Sequence, residues 1–173
     1  MASDPVIGSA RIALRPVSED DVVAITDGCG DPEVARFIPV IPQPCTVDHV
    51  RSFVEAARSD WSAGEAAELV VEDADTEEFL GMVSVSLPND GSAGYWIKPG
   101  ARGGGIATEA LVLAVQWARE THAVTRLYLT THPENFASQR VAEKAGFQRA
   151  GVIEQAPPFA DGETTAVRFE RRE

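Results

Sequence analysis

The residues best suited to chemistry lie between Gly94 and Leu111. Gly94-Tyr95-Trp96-Ile97-Lys98 alternates as a strand does and Pro99 ends it. Gly100-Ala101-Arg102-Gly103-Gly104-Gly105 then turns the chain, and Ile106-Ala107-Thr108-Glu109-Ala110-Leu111 opens an amphipathic helix. Free N–H groups at a helix start, with the positive end of the dipole, form an anion site. Glycines let phosphate oxygens come close to that backbone. Arg102 is expected to add a cation at the mouth. Glycines serving only a tight turn would not require Arg102, nor so many of them before a strong helix, so the pattern points to a phosphate-bearing ligand. It is not a nucleotide P-loop, because Gly105 is followed by Ile106-Ala107 and not by Lys and Ser or Thr. A dinucleotide fingerprint forced onto Gly103, Gly105 and Thr108 has too large a residue at its third position.

The elements that must hold this loop can be read along the chain. Arg11 to Arg15 is a predicted strand ended by Pro16, and Ser18-Glu19-Asp20-Asp21 resembles a helix cap with Val17 and Val22 as a hydrophobic staple. That helix stops near Gly28-Cys29-Gly30, and Asp31-Pro32 starts a short helical segment through Phe37. Phe37 to Pro44 is a loop, and Thr46 caps a helix with apolar positions Val50, Phe53, Val54, Ala57 and Trp61. Ala67 to Glu72, Phe79 to Leu87 and Gly94 to Lys98 read as strands. A helix follows from about Gly105 to Glu120, then a strand over Leu127 to Thr131 and a helix over about Phe136 to Ala145. Two closing strands cover Gln148 to Gln155 and Thr164 to Glu170. With no repeat, linker or low-complexity tract, residues 1–173 read as a single domain of mixed α/β layer class.

Composition excludes several functions. The 15 Lys and Arg against 27 Asp and Glu leave a formal charge of −12, which argues against direct nucleic-acid binding, since neutralising phosphates takes clustered basic residues. Cationic partners such as amines stay open, beside the plainer reading that acidity aids solubility. No apolar run is long enough to span a bilayer, and Met1-Ala2-Ser3-Asp4-Pro5 is not built like a secretory leader, so no membrane association and a cytoplasmic location are expected. Cys29 and Cys45 lack metal-ligand spacing and His49, His122 and His132 are scattered, so no metal is expected.

Two blocks together carry a resemblance. Arg102-Gly103-Gly104-Gly105-Ile106-Ala107 is similar to the Arg/Gln-x-x-Gly-x-Gly/Ala signature of the GNAT superfamily of N-acetyltransferases. His132 to Phe147 (His-Pro-Glu-Asn-Phe-Ala-Ser-Gln-Arg-Val-Ala-Glu-Lys-Ala-Gly-Phe) resembles the Asn-x-x-Ser…Glu-Lys-x-Gly-Phe segment of its RimJ/RimL-type branch. The likeness covers nearly the whole chain. It implies a central mixed, mostly antiparallel sheet, one layer thick and flanked by helices, in which two splayed parallel strands hold CoA. Here these would be the strand ending near Lys98 and the strand Leu127 to Thr131.

The resemblance also implies an acetyl-CoA-dependent transfer to a primary amine, either a protein N-terminus or a small molecule, by a monomer or homodimer. Backbone groups of Trp96, Ile97 and Lys98 would pair with the pantetheine. Arg102, Gly103, Gly104, Gly105, Ile106, Ala107 and Thr108 would hold the pyrophosphate. Asn135 and Ser138 would contact the pantetheine and sulfur region. An N–H near Ile97 could stabilise the developing oxyanion, and Ser138 could donate to the departing sulfur. The Tyr acid of many members has no counterpart, because Ala142 stands there; Tyr95 and Tyr128 read as packing residues. For a general base the candidates are Glu68 and Glu72, which share one face of a predicted strand, and His132. Solvated strand carboxylates and a turn-capping histidine are the competing roles. The missing acid and unlocated base also leave open an acyl-CoA-binding sensor without turnover.

Overall fold

A computed structural model describes residues 7–172; Met1 to Val6 and Glu173 lie outside the described residues, and with them the reading of the N-terminal segment and the outer limits of the 1–173 domain. The element order is β1 (Ile7–Gly8), β2 (Ile12–Pro16), α1 (Val22–Cys29), α2 (Pro32–Phe37), α3 (Val47–Ala63), β3 (Ala66–Asp73), β4 (Phe79–Ser86), β5 (Gly91–Ile97), α4 (Ile106–His122), β6 (Arg126–Thr131), α5 (Phe136–Lys144), β7 (Gln148–Ile153) and β8 (Ala166–Arg172). Among the described residues these strands form one sheet in the order β1-β2-β3-β4-β5-β6-β8-β7. Every neighbouring pair is antiparallel except β5 and β6, which run parallel. No helix among them is long and apolar enough to cross a membrane.

Helix signals in the sequence act where they are expected. Asp31 caps α2 by accepting the Val34 N–H at 3.1 Å, and Thr46 caps α3 by accepting that of His49 at 3.3 Å. Ser18 precedes one turn of 3-10 helix before α1 begins at Val22. The strand predicted from Gly94 starts earlier, at Gly91. The turn is carried instead by Pro88-Asn89-Asp90, where Asp90 takes φ 63° and the Asn89 side chain accepts N–H groups from Thr125 and Arg126.

Alternation along the strands gives the sheet two apolar faces. On one, Val50, Val54 and Ala57 of α3 and Ile25 of α1 cover Val70 and Met82. On the other, Ala110, Leu111, Ala114, Val115 and Ala118 of α4, with Ala142 of α5, cover Leu69, Val83, Leu127 and Leu129. Trp61, near the end of α3, leaves its helix's own cluster and stacks on Trp117 of α4 at 5.5 Å, joining the two layers.

One buried polar cluster crosses the first of these faces. Arg15 of β2 is 8% exposed, donates Nε to Glu72 of β3 at 2.7 Å, and forks both terminal nitrogens onto Asp21 at 2.9 and 2.7 Å. Desolvation pushes the Asp21 carboxyl up, but the Arg15 guanidinium and the Ser18 N–H outweigh it and hold it below the usual range. That contribution to stability is therefore complete above the ordinary carboxylate pKa and is lost as pH falls through the lowered one. Replacing Arg15 strands two buried carboxylates. Arg15→Met should lower urea-denaturation stability by about 3–5 kcal/mol, with Arg15→Lys recovering part of the loss.

Candidate active site

β5 and β6 pair only at Gly91↔Leu127 and Ser92↔Tyr128, after which they part. The side of β5 that faces the gap follows from its register with β4. The Lys98 N–H donates to the Leu80 carbonyl at 2.9 Å, and Met82 stands opposite Trp96. Antiparallel pairing alternates, so the main-chain groups of Trp96 and Lys98 are turned to β4, while those of Tyr95 and Ile97 point into the gap. Of the three residues expected to present backbone there, only Ile97 does so, joined by Tyr95. The Lys98 side chain is ion-paired with Glu78. The Trp96 ring packs on Phe79 at 5.7 Å and leaves no room for a side chain at Gly28.

Beyond Ile97, Pro99 to Ala101 make one 3-10 turn, and Gly103 and Gly105 adopt left-handed φ of 82° and 83°. Gly105 is the N-cap of α4 and has no side chain to cap with, so the N–H groups of Ile106, Ala107 and Thr108 lack helical partners. The first bond of the helix runs from the Glu109 N–H to the Gly105 carbonyl at 3.0 Å. Arg11 braces the loop from behind, donating to the Gly104 carbonyl at 2.8 Å and to Glu109 at 3.1 Å, while Ser9 donates to Glu109 at 2.6 Å. Glu109 is thereby neutralised beside a helix start that favours anions. This uncapped, glycine-lined start is what a pyrophosphate requires of a backbone.

Arg102 does not stand free at this mouth. Its Nε donates to the Ile97 carbonyl at 2.8 Å, Nη1 to Glu33 at 2.6 Å and Nη2 to Asp31 at 2.7 Å. Partial desolvation raises the Asp31 carboxyl, and the Arg102 guanidinium with the Val34 N–H more than offsets it, holding the group below its usual range. The expected cation at the phosphate mouth is therefore a tie between the loop and α2. Nothing in the sequence near Arg102 signals this, since its partners lie about seventy residues earlier.

At the far lip of the gap, Asn135 caps α5 by accepting the Ser138 N–H at 3.0 Å. Ser138 Oγ lies 2.7 Å from the Tyr95 hydroxyl, and the Ser138 carbonyl lies 3.0 Å from it. β5 and α5 thus meet across the opening through a tyrosine that reads in the sequence as packing. Burial pushes the Tyr95 phenol up to about 12, with the Ser138 bond acting the other way, so it stays protonated near neutrality. His132 is buried, and one of its ring nitrogens is hydrogen-bonded. Nδ1 accepts the Glu134 N–H at 3.0 Å, and Nε2, without an aligned hydrogen bond, faces Asp161 Oδ2 at 3.2 Å. Phe37 and Phe159 pack on its ring, which removes it as a base for an incoming group.

Of the two strand carboxylates, Glu72 is committed to Arg15. Glu68 is half-buried, and desolvation together with the charge of Asp60 raises it to about 7. Register puts Glu68, Ser84 and Gly94 in one row across β3, β4 and β5. That row lies just past the level at which β5 and β6 part. Gly94 carries no side chain, and Ser84 Oγ would lie 3.2 Å from a Cβ placed there. Among the described residues no cluster of His, Cys, Asp and Glu is placed to hold a metal ion.

Residues 11–148 match a family model described as Acetyltransferase (GNAT) domain. The chain is 23% identical over 155 residues, 87% of each protein, to the uncharacterized N-acetyltransferase YoaA of Bacillus subtilis strain 168. The structure of Mycobacterium smegmatis RimJ in complex with CoA-disulfide matches with a TM-score of 0.84 at 22% identity, covering 93% of this chain and 81% of that one. An acetyltransferase of Salmonella typhimurium that modifies the N-terminal serine of the 50S ribosomal subunit protein L7/L12 matches with a TM-score of 0.84 at 19% identity, covering 98% and 99%. These two structures share the fold described above.

Loop geometry and steric room can be separated by substitution. Gly105 has a left-handed φ but nothing within 4 Å of an added Cβ; Gly100 has equal room and no such φ. Gly105→Ala should therefore lower stability by about 1–2 kcal/mol in urea denaturation, whereas Gly100→Ala should be neutral or slightly stabilising.

Proposed function

Because this chain belongs to the GNAT acetyltransferase family, we propose that it carries an acetyl group from acetyl-CoA to a primary amine by direct attack, as a single cytoplasmic domain. The acceptor is a protein N-terminus or a small amine. The observation that carries this reading is the unpaired edge of β5 running directly into the uncapped N-terminus of α4. An extended amide-bearing arm fits the first, and a pyrophosphate fits the second.

Acetyl-CoA supplies an activated acyl carbon and a thiolate leaving group. The N–H groups from Gly103 to Thr108 hold its pyrophosphate, and Arg102 contributes by shaping their loop. The Ile97 N–H, turned into the gap, is the donor for the developing oxyanion. Trp96 and Lys98 serve by holding β5 against β4. Ser138 donates toward the sulfur, oriented through its own N–H by Asn135. Tyr95 has one hydroxyl hydrogen for the Ser138 carbonyl and Oγ; turned to the carbonyl it lets Oγ donate to the phenol, and turned to Oγ it frees the serine's hydrogen for the gap. Glu68 is the base, in the row that Ser84 and Gly94 continue toward the gap.

Amine-dependent release of free thiol from acetyl-CoA across a panel of N-terminal peptides and small amines tests the reading; no release from folded protein would overturn it. Ser138→Ala should lower turnover by about 10- to 100-fold, the value of one hydrogen bond to a charged group, and leave CoA affinity nearly unchanged. Turnover equal to wild type would remove Ser138 from the chemistry.

A base must be ionised to work, so the rate should rise with pH through about 7 and level off above it. Glu68→Gln should abolish that limb and cost about 100- to 10,000-fold in turnover. The same raised carboxyl favours the protonated folded state. Wild-type stability should accordingly decline between the ordinary glutamate pKa and about 7, and the decline should vanish in Glu68→Gln.

A further inference from the structure

We propose that Arg102 is a positioning residue that couples cofactor binding to the acceptor side by anchoring α2 across the mouth of the splayed strands, and is not itself a phosphate ligand. The inference rests on CoA binding at the glycine loop, as read above.

A helix as short as α2 has little stability of its own, so its place is set by what holds its ends. The first end is held by Arg102, through the capping residue Asp31 and through Glu33. The same guanidinium holds the Ile97 carbonyl, at the end of β5. The second end is held on the β6 side, where Phe37 packs on His132 at 5.4 Å and Arg36 donates to Glu134 at 2.6 Å. α2 thus bridges the tips of the two strands that part. It packs against α1, whose buried side chains lie on the sheet face opposite α4, and that is the acceptor side in this reading.

Arg102 offers its fork to α2 and Ile97, and its backbone belongs to the loop whose N–H groups meet the cofactor. An anion that fixes Gly103 to Thr108 also fixes the root of that side chain. Part of the ordering cost of α2 is then met before an acceptor arrives, and the effect is reciprocal. Donor and acceptor binding should thereby favour one another.

Hydrogen–deuterium exchange of the full chain with and without CoA tests this. In the wild type, saturating CoA should slow exchange of the α2 amides by about 5-fold or more. In Arg102→Gln, CoA should still bind, weakened by less than about 5-fold, and the slowing at α2 should be lost. Glu33→Gln alters only an exposed partner and cannot be dismissed as misfolding; it should reduce the slowing with CoA affinity unchanged. CoA binding without any slowing at α2, or with faster exchange there, overturns the inference while leaving the cofactor reading intact. Loss of more than about 10-fold in CoA affinity in folded Arg102→Gln also overturns it, because that is what a direct phosphate contact is worth. No CoA binding by the wild type would remove the cofactor reading and this inference with it.

Discussion

Strands that part while still inside a sheet leave donors and acceptors that no neighbouring strand can satisfy, and the rest of this fold is arranged around that deficit between β5 and β6. At the closed end the strands are stitched. Asp90 donates its N–H to the Arg126 carbonyl and ion-pairs with Arg126, while Asn89 accepts from Thr125 and Arg126. Above Ser92 and Tyr128 the strands are held apart from both outer sides. β5 stays registered on β4 through Ile97, and β6 stays registered on β8 through Thr131. The Tyr95–Ser138 hydrogen bond and the α2 bridge are two links that cross the opening. A polar gap kept open in this way is costly unless something pairs with it, which is why the edge of β5 reads as a binding surface.

The acidity of the chain looks unfavourable for an anionic ligand, and the local arrangement answers it without a free cation. Glu109, the acid nearest the helix start, is paired with Arg11 and Ser9. Arg102, the cation expected to face the ligand, is spent on Asp31 and Glu33 and so offsets one of their two negative charges. What remains to attract phosphate is the set of unpaired N–H groups at the α4 start. These act at contact distance, where a formal charge of −12 spread over the surface is largely screened.

Much of this was legible in the sequence. The glycine loop, the α4 face and the caps at Asp31 and Thr46 are local signals, governed by φ freedom, helical spacing and a side chain's reach to its own backbone. Which edge of β5 faces the gap was not legible, because it depends on register with β4: the run Trp96-Ile97-Lys98 looks uniform until pairing divides it into alternate residues. Tyr95 was missed for a similar reason, since a strand tyrosine is nearly always packing until a serine some forty residues later is folded onto it. Arg102 shows the opposite failure, where a motif made the residue conspicuous and hid the role of its side chain.

Glu68 and Glu72 show most sharply what spacing cannot decide. They lie on one face of one strand, so type and spacing offer both equally as candidate bases. Glu72 ends beside Arg15 and becomes one of the two acids of a buried ion cluster with Asp21. Four residues away, Glu68 meets no cation; burial and the nearby Asp60 charge work together, and its carboxyl rises to about 7. β2 delivers its arginine opposite Val70, midway between the two acids, and the difference comes from the direction of the side chain, which reaches toward Asp21 and so toward Glu72. A strand slipped by one residue would turn Arg15 to the other face and leave both acids unpaired. The pairing of β2 with β3 and the turn of one arginine therefore decide which acid is paired and which is left without a cation, although neither strand borders the gap.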